Sequence, residues 1–174
     1  CEYISAHRSR ATNSKEFFLN EVSGRDLTDT VYISANAWVD ELYDEADFNL
    51  HELIVVDIND PEDMATNVKS IAGKYEDKRV VAHFMQPHFP VLSDDYKKVN
   101  EEWYADRPMN MWHNKMIDNL NYDITKERLI EAYEANLRTI LPIIKNLVED
   151  IRGKTVISDD HGQIFGERVR PIPI

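Results

Sequence analysis

Asp160-His161-Gly162, reached through the apolar, β-branched run Thr155-Val156-Ile157-Ser158, brings together the residue types of this chain best suited to metal chemistry. A carboxylate oxygen and an imidazole nitrogen are donors that suit zinc, manganese or another divalent ion. Gly162 lets the backbone turn sharply beside them. Successive residues of a strand point to opposite faces, so Asp160 and His161 can share a site only if the strand ends before them. Two readings stand at this level. The pair is either a set of ligands at the carboxyl edge of a buried parallel strand, where open α/β sheets carry their sites, or a strand end closed by Asp159 and Asp160.

A second reactive group lies near the start, in Arg8-Ser9-Arg10-Ala11-Thr12-Asn13-Ser14-Lys15-Glu16-Phe17. Asn13 and Glu16 have the spacing of a capping box, which predicts a helix from Ser14 through Val22 with Thr12 and Ser14 at its mouth. Free N–H groups and the positive end of the helix dipole would stabilise an alkoxide there, and an incoming phosphate or sulfate as well. Arg8 and Arg10 offer bidentate forks for anionic oxygens. Against this stands a plainer reading, in which Ser9, Thr12 and Ser14 cap a turn and the arginines are solvated.

Val156-Ile157-Ser158-Asp159-Asp160-His161-Gly162 with the trailing Phe165-Gly166-Glu167 resembles the strand-Asp-His-Gly-x-x-x-Gly-Glu signature of the alkaline phosphatase and sulfatase superfamily, and most closely its sulfatase-like proteins of archaea. Two further pieces follow the family's order. The strand Arg79-Val80-Val81-Ala82 leads into His83-Phe84-Met85-Gln86-Pro87-His88-Phe89-Pro90, which resembles the family's Pro-His-x-Pro loop. Its histidine contacts the substrate's anionic group in relatives, a role the resemblance gives to His88. His83 is a second contact or a satisfied half-buried imidazole. The hydroxyl-rich turn before Phe17 resembles the family's nucleophile segment, Thr12 by its distance from Phe17 and Ser14 by a hydroxyl-x-x-Phe pattern.

The resemblance implies an α/β fold with a mostly parallel sheet flanked by helices on both faces, like that of alkaline phosphatase. It also implies a divalent metal (zinc, manganese, calcium or magnesium) held by Asp160 and His161, with Thr12 or Ser14 as nucleophile. His88 would hold the transferring group or protonate the leaving oxygen, with Arg8, Arg10 and His83 on the substrate. The implied activity is hydrolysis of sulfate or phosphate esters, with small-molecule or glycan- or lipid-linked anionic esters as substrates. A phosphoglycerol- or phosphoethanolamine-type transferase and an inactive binding module of the same fold are the alternatives.

The chain departs from the family at several points. No Cys-x-Pro-Ser-Arg motif occurs, so formylglycine chemistry is not supported. Relatives also carry a metal-binding Asp at the end of an earlier strand and a histidine after the Asp-His-Gly segment, and neither segment is found here. Beginning at Cys1 and stopping at Val169-Arg170-Pro171-Ile172-Pro173-Ile174, the chain reads as a fragment, a single incomplete catalytic domain over residues 1–174. The apolar face of the long predicted helix carries no Asp or His, which favours one metal over two.

The elements that must position these residues alternate as in crossover units on a parallel sheet. Strands are predicted at Thr30-Val31-Tyr32-Ile33-Ser34-Ala35, Leu53-Ile54-Val55-Val56-Asp57, Arg79-Val80-Val81-Ala82-His83 and Thr155-Val156-Ile157-Ser158. Asp60-Pro61-Glu62-Asp63 supplies a cap, a first-turn proline and acidic residues for a helix continuing from Met64 to Tyr75. Leu129, Tyr133, Leu137, Ile140, Ile144, Leu147 and Ile151 mark one face of a helix between Thr125 and Ile151, which Pro142 should kink or split. Residues from Ser93 to Met116, rich in Trp, Tyr and Met, form a substrate-side lid or a helical pair covering the sheet edge.

At 174 residues and 43% hydrophobic, the chain supports one core and is short for two comfortable domains. No run approaches the roughly 18 apolar residues of a membrane span, and with no leader-like segment a cytoplasmic location is the default expectation. A net charge of −12 argues against a nucleic-acid partner. The single cysteine, Cys1, excludes an internal disulfide framework. Oligomeric state is not legible.

Overall fold

A computed structural model describes residues 11, 13–36, 38–43, 47–56, 60–101 and 125–162. The chain divides into two compact units, residues 1–85 with 143–162 and residues 86–142 with 163–174.

The first unit is α/β, built on an all-parallel three-stranded open sheet in the order β2-β1-β3. These strands are β1 (Asp26–Ser34), β2 (Asn49–Val55) and β3 (Arg79–His83). Tyr32 lies opposite Leu53 on one side and Val81 on the other, and Ser34 lies opposite Val55 and His83. The register of β1 against β2 shifts between Leu27 and Val31. The central strand is the most deeply buried, with Val31 and Ile33 wholly inaccessible.

Alternation along β1 sends Tyr32 and Ile33 to opposite faces, and each face is covered by helices. On the Tyr32 face, α1 (Ser14–Phe17) passes directly into a π-helical turn, Phe18–Val22, and α2 (Trp38–Tyr43) lies beyond it. Phe18, Val22, Val39 and Leu42 pack there with Tyr32. On the Ile33 face, α3 (Pro61–Lys74) contributes Met64, Ala65 and Val68, joined by Leu147. Asp60 caps α3 as its residue type predicts, accepting from the N–H groups of Glu62 (2.8 Å) and Asp63 (3.3 Å).

One predicted strand has no place in the sheet formed by the described residues. Residues Thr155–Ser158 form no ladder among the described residues, and Val156 and Ile157 are 76% and 59% exposed. β-Branched composition favours a strand only where a neighbour and a covering face exist, because β-propensity is largely a packing preference. Here neither is present among the described residues.

In the second unit, a 3₁₀ turn (Asp94–Tyr96) leads into α4 (Lys97–Val99), and most of α5 (Lys126–Asp150) follows. Pro142 does not split α5. The residue is exposed, so the carbonyl that loses its partner to the missing N–H can turn to water. Phe89, Val91, Val99, Leu129 and Ala132 form the apolar cluster of this unit. The proposed lid lies outside the described residues from residue 102 onward.

Asn136, only 1% exposed, holds the loop of residues 87–92 in shape. Its Nδ2 donates to the carbonyls of His88 (3.1 Å) and Pro90 (3.0 Å), and its Oδ1 accepts from the Leu92 N–H at 2.9 Å. Asn100 adds a two-way pair with the backbone of Val91, both bonds 2.7 Å. Asn136→Leu keeps the volume but strands buried loop groups without partners, and it should lower stability in urea unfolding by about 3 kcal/mol. Thr139→Ala on the exposed side of α5 should change it by less than about 0.5 kcal/mol. Equal effects would show that Asn136 does not clamp the loop.

Candidate functional site

Ser14 opens α1 because Asn13 stops the chain just before it in an extended conformation and caps the helix, its Oδ1 accepting from the Glu16 N–H at 2.9 Å. This is half of the predicted capping box. From that position Ser14 Oγ donates to Asp160 Oδ2 at 2.7 Å, across 146 residues of sequence. The two residue groups singled out at opposite ends of the chain therefore meet. Asp160 Oδ1 accepts from the His161 N–H at 3.0 Å, so the turn closes on the carboxylate itself.

His161 is the neighbour of Asp160 in space as well as in sequence, its Nε2 lying 3.7 Å from Asp160 Oδ2. Its Nδ1 is 3.0 Å from the Gly162 carbonyl. A carbonyl only accepts, so Nδ1 carries the proton, and a neutral His161 has its lone pair on Nε2, beside the carboxylate. Two acceptors side by side are favourable when a proton or a cation lies between them. A histidine that spends one N–H on a backbone carbonyl and keeps the other nitrogen bare is the arrangement metal ligands adopt. The donor set of Asp160 and His161 thus fits a divalent ion by ligand type and, with the ring neutral, by tautomer. Among the described residues there is no group of three His, Cys, Asp or Glu side chains placed to hold a metal.

His83 stands at the carboxyl end of β3 and shares its face with Tyr32, which lies two register positions back on β1. The Tyr32 hydroxyl is 3.2 Å from His83 Nδ1, and Phe18 stacks on the imidazole with ring centroids 6.0 Å apart. Burial pushes the Tyr32 phenol up, and the Asp160 carboxylate adds to it. Burial holds His83 below its ordinary value, with Asp160 opposing the shift and His161 reinforcing it. Asp160 thus acts electrostatically on both groups.

Of the residues expected from sequence, Ser14, His83, Asp160 and His161 all belong to the first unit and gather at the carboxyl end of its sheet. His88 belongs to the second unit, where its Nδ1 donates to the Phe89 carbonyl at 2.8 Å. Arg8, Arg10 and Thr12, like Phe165, Gly166 and Glu167, lie outside the described residues. Sequence reasoning missed Tyr32, which reads as one more apolar strand residue. The available signal was a phenol in a core-facing position, since a buried hydroxyl needs a partner. It also missed Ser34 and Asn36, whose side chains shape the turn leaving β1. Ser34 Oγ accepts from the Asn36 N–H (3.0 Å), and Asn36 Oδ1 accepts from the Trp38 N–H (3.1 Å).

No helix among the described residues is long and apolar enough to cross a membrane. Comparison of the chain with protein-family models, curated proteins and solved structures returned no match.

The depressed His83 predicts a pH dependence with a definite sign. Below its ordinary value of 6.5 the unfolded chain binds a proton on this residue that the folded chain resists. The contribution is therefore present above that pH and lost on acidification. In urea unfolding, the stability lost between about pH 7.5 and about pH 5 should be smaller in His83→Gln than in the wild type. Equal losses would remove His83 as a source.

Proposed function

We propose that this chain carries the catalytic residues of a metal-dependent hydrolase of phosphate or sulfate esters, with Ser14 as nucleophile and Asp160 and His161 as metal ligands. The observation that carries this reading is the 2.7 Å hydrogen bond from Ser14 Oγ to Asp160 Oδ2. It joins a hydroxyl at a helix start to a carboxylate that has an imidazole lone pair beside it. An alkaline-phosphatase-like fold belongs to the same reading, supported by a parallel sheet whose carboxyl ends gather the reactive groups. The resemblance left Thr12 and Ser14 open as nucleophile, and the contact with Asp160 favours Ser14.

Ser14 would attack the phosphorus or sulfur in line, forming a bond from Oγ as the bridging ester oxygen departs. Its proton points toward Asp160 Oδ2, which orients an Oγ lone pair at the substrate. The departing alkoxide takes up the Ser14 proton, relayed through Asp160 Oδ2, and a water then hydrolyses the covalent ester on Ser14, returning its hydroxyl. A divalent ion held by Asp160 and His161 would supply charge stabilisation for the attacking oxygen and the substrate's anionic oxygens. The Gly162 carbonyl holds His161 in the tautomer this needs.

With manganese or zinc present, the chain should release nitrophenol from p-nitrophenyl phosphate or p-nitrophenyl sulfate. Ser14→Ala and Asp160→Ala should each reduce kcat/KM by about 10³-fold, and Thr12→Ala should change it only a few-fold. The same metal should raise the melting temperature of the wild type and leave that of Asp160→Ala unmoved. Turnover of neither ester, together with an equal metal shift in Asp160→Ala, would defeat the reading. Loss of activity in Thr12→Ala alone would transfer the nucleophile to Thr12.

A further inference from the structure

We propose that Tyr32 is a positioning residue: its hydroxyl donates to His83 Nδ1 and so presents His83 Nε2–H, rather than a lone pair, to an anionic oxygen of the bound ester. This rests on the reading above for the identity of the anion and on local geometry for everything else.

The direction of the hydrogen bond follows from counting donors. Tyr32 is 5% exposed, and among the described residues its hydroxyl has one hydrogen-bond partner, His83 Nδ1 at 3.2 Å. Burial and the nearby Asp160 carboxylate keep the phenol protonated. Its proton therefore needs an acceptor, because a buried donor left unpaired is costly. A neutral imidazole supplies that acceptor only if Nδ1 is bare, which places the ring proton on Nε2. The opposite arrangement, with Nδ1–H donating to the phenol oxygen, would leave the phenol proton without a hydrogen-bond partner among the described residues.

Rotation of the imidazole is restricted as well. Phe18 stacks on one side of it at 6.0 Å, and Tyr32 meets it edge-on with centroids 6.2 Å apart. His83 Nε2 has no hydrogen-bond partner among the described residues, so its N–H is left to a ligand. Asp160 and His161 both act on His83 electrostatically, which places the ring within the field of the proposed metal ligands.

The result is a division of labour between two histidines. His161 gives its Nδ1–H to a backbone carbonyl and offers a lone pair suited to a cation. His83 accepts from a phenol and offers an N–H suited to an anion. An ester whose charged oxygens must be held while a cation sits close by calls for both kinds of nitrogen.

The test uses the full chain labelled with ¹⁵N, with His83 followed by long-range proton–nitrogen correlation at a pH where the ring is neutral. Three results are expected. The wild type shows protonated Nε2 and bare, hydrogen-bonded Nδ1, and in Tyr32→Phe, which keeps the aromatic packing, the Nδ1 signal moves to that of a nitrogen without a donor. Added inorganic phosphate shifts the His83 Nε2–H of the wild type. Tyr32→Phe and His83→Gln each weaken phosphate binding by about five- to tenfold, and the double variant binds no more weakly than either one, since Tyr32 acts through His83.

A protonated Nδ1 in the wild type overturns the proposal. So does a Tyr32→Phe variant that loses melting temperature but keeps the wild-type Nδ1 signal and phosphate affinity, and so does a wild type whose His83 signals ignore phosphate. Phosphate binding with this pattern but no ester turnover would uphold the role of Tyr32 and defeat the hydrolase reading instead.

Discussion

A central parallel strand cannot meet water on either face, and in the first unit that condition falls on β1. Its Val31 and Ile33 are inaccessible and Tyr32 nearly so, while β2 and β3 take up its backbone groups on both edges. Each face must then be sealed by helices, α1 with its π-helical turn and α2 on one, α3 on the other. The face sealed by α1 brings the start of that helix over the carboxyl ends of β1 and β3. Ser14 and His83 occupy the same region for that reason, and any loop returning to that end of the sheet meets both. The segment that returns carries Asp160.

The polar chemistry at this end of the sheet is set by single hydrogen bonds to rings. Imidazole has two nitrogens and, when neutral, one proton, so a partner at one nitrogen decides what the other can offer. A backbone carbonyl at His161 and a phenol at His83 impose opposite outcomes. Phe18 contributes to both layers of organisation, as a fully buried side chain of its cluster and as the surface on which His83 stacks. A π-helical turn, a geometry frequently found at functional sites, places it there.

Much of the scaffold was legible in the residues. The strand predicted at Arg79–His83 has those bounds in the structure, and the cap at Asp60, the proline at the start of α3 and the cap at Asn13 are where their types place them. The strand expected at Thr155–Ser158 pairs with no neighbour among the described residues, because β-branched, apolar composition reports suitability for a sheet, not the presence of a neighbour. Asn136 lies in an apolar row between Ala132 and Ile140, where only the loop folded against it explains a polar residue. Of the candidate site, Ser14, His83, Asp160 and His161 are legible in the residues, and Tyr32 is not.

The sequence by itself determined what depends on near neighbours along the chain. Caps and first-turn residues start helices within a few positions, strand alternation sorts side chains to two faces, and Asp160-His161-Gly162 states a ligand type. The tertiary structure decided that Ser14 would meet Asp160 across 146 residues, and which ring nitrogens of His83 and His161 would find partners. Those outcomes turn on distances of about 3 Å between groups remote in sequence. A one-dimensional pattern holds residue types and spacings, whereas a hydrogen bond requires donor and acceptor to be brought together by the packing of everything between them.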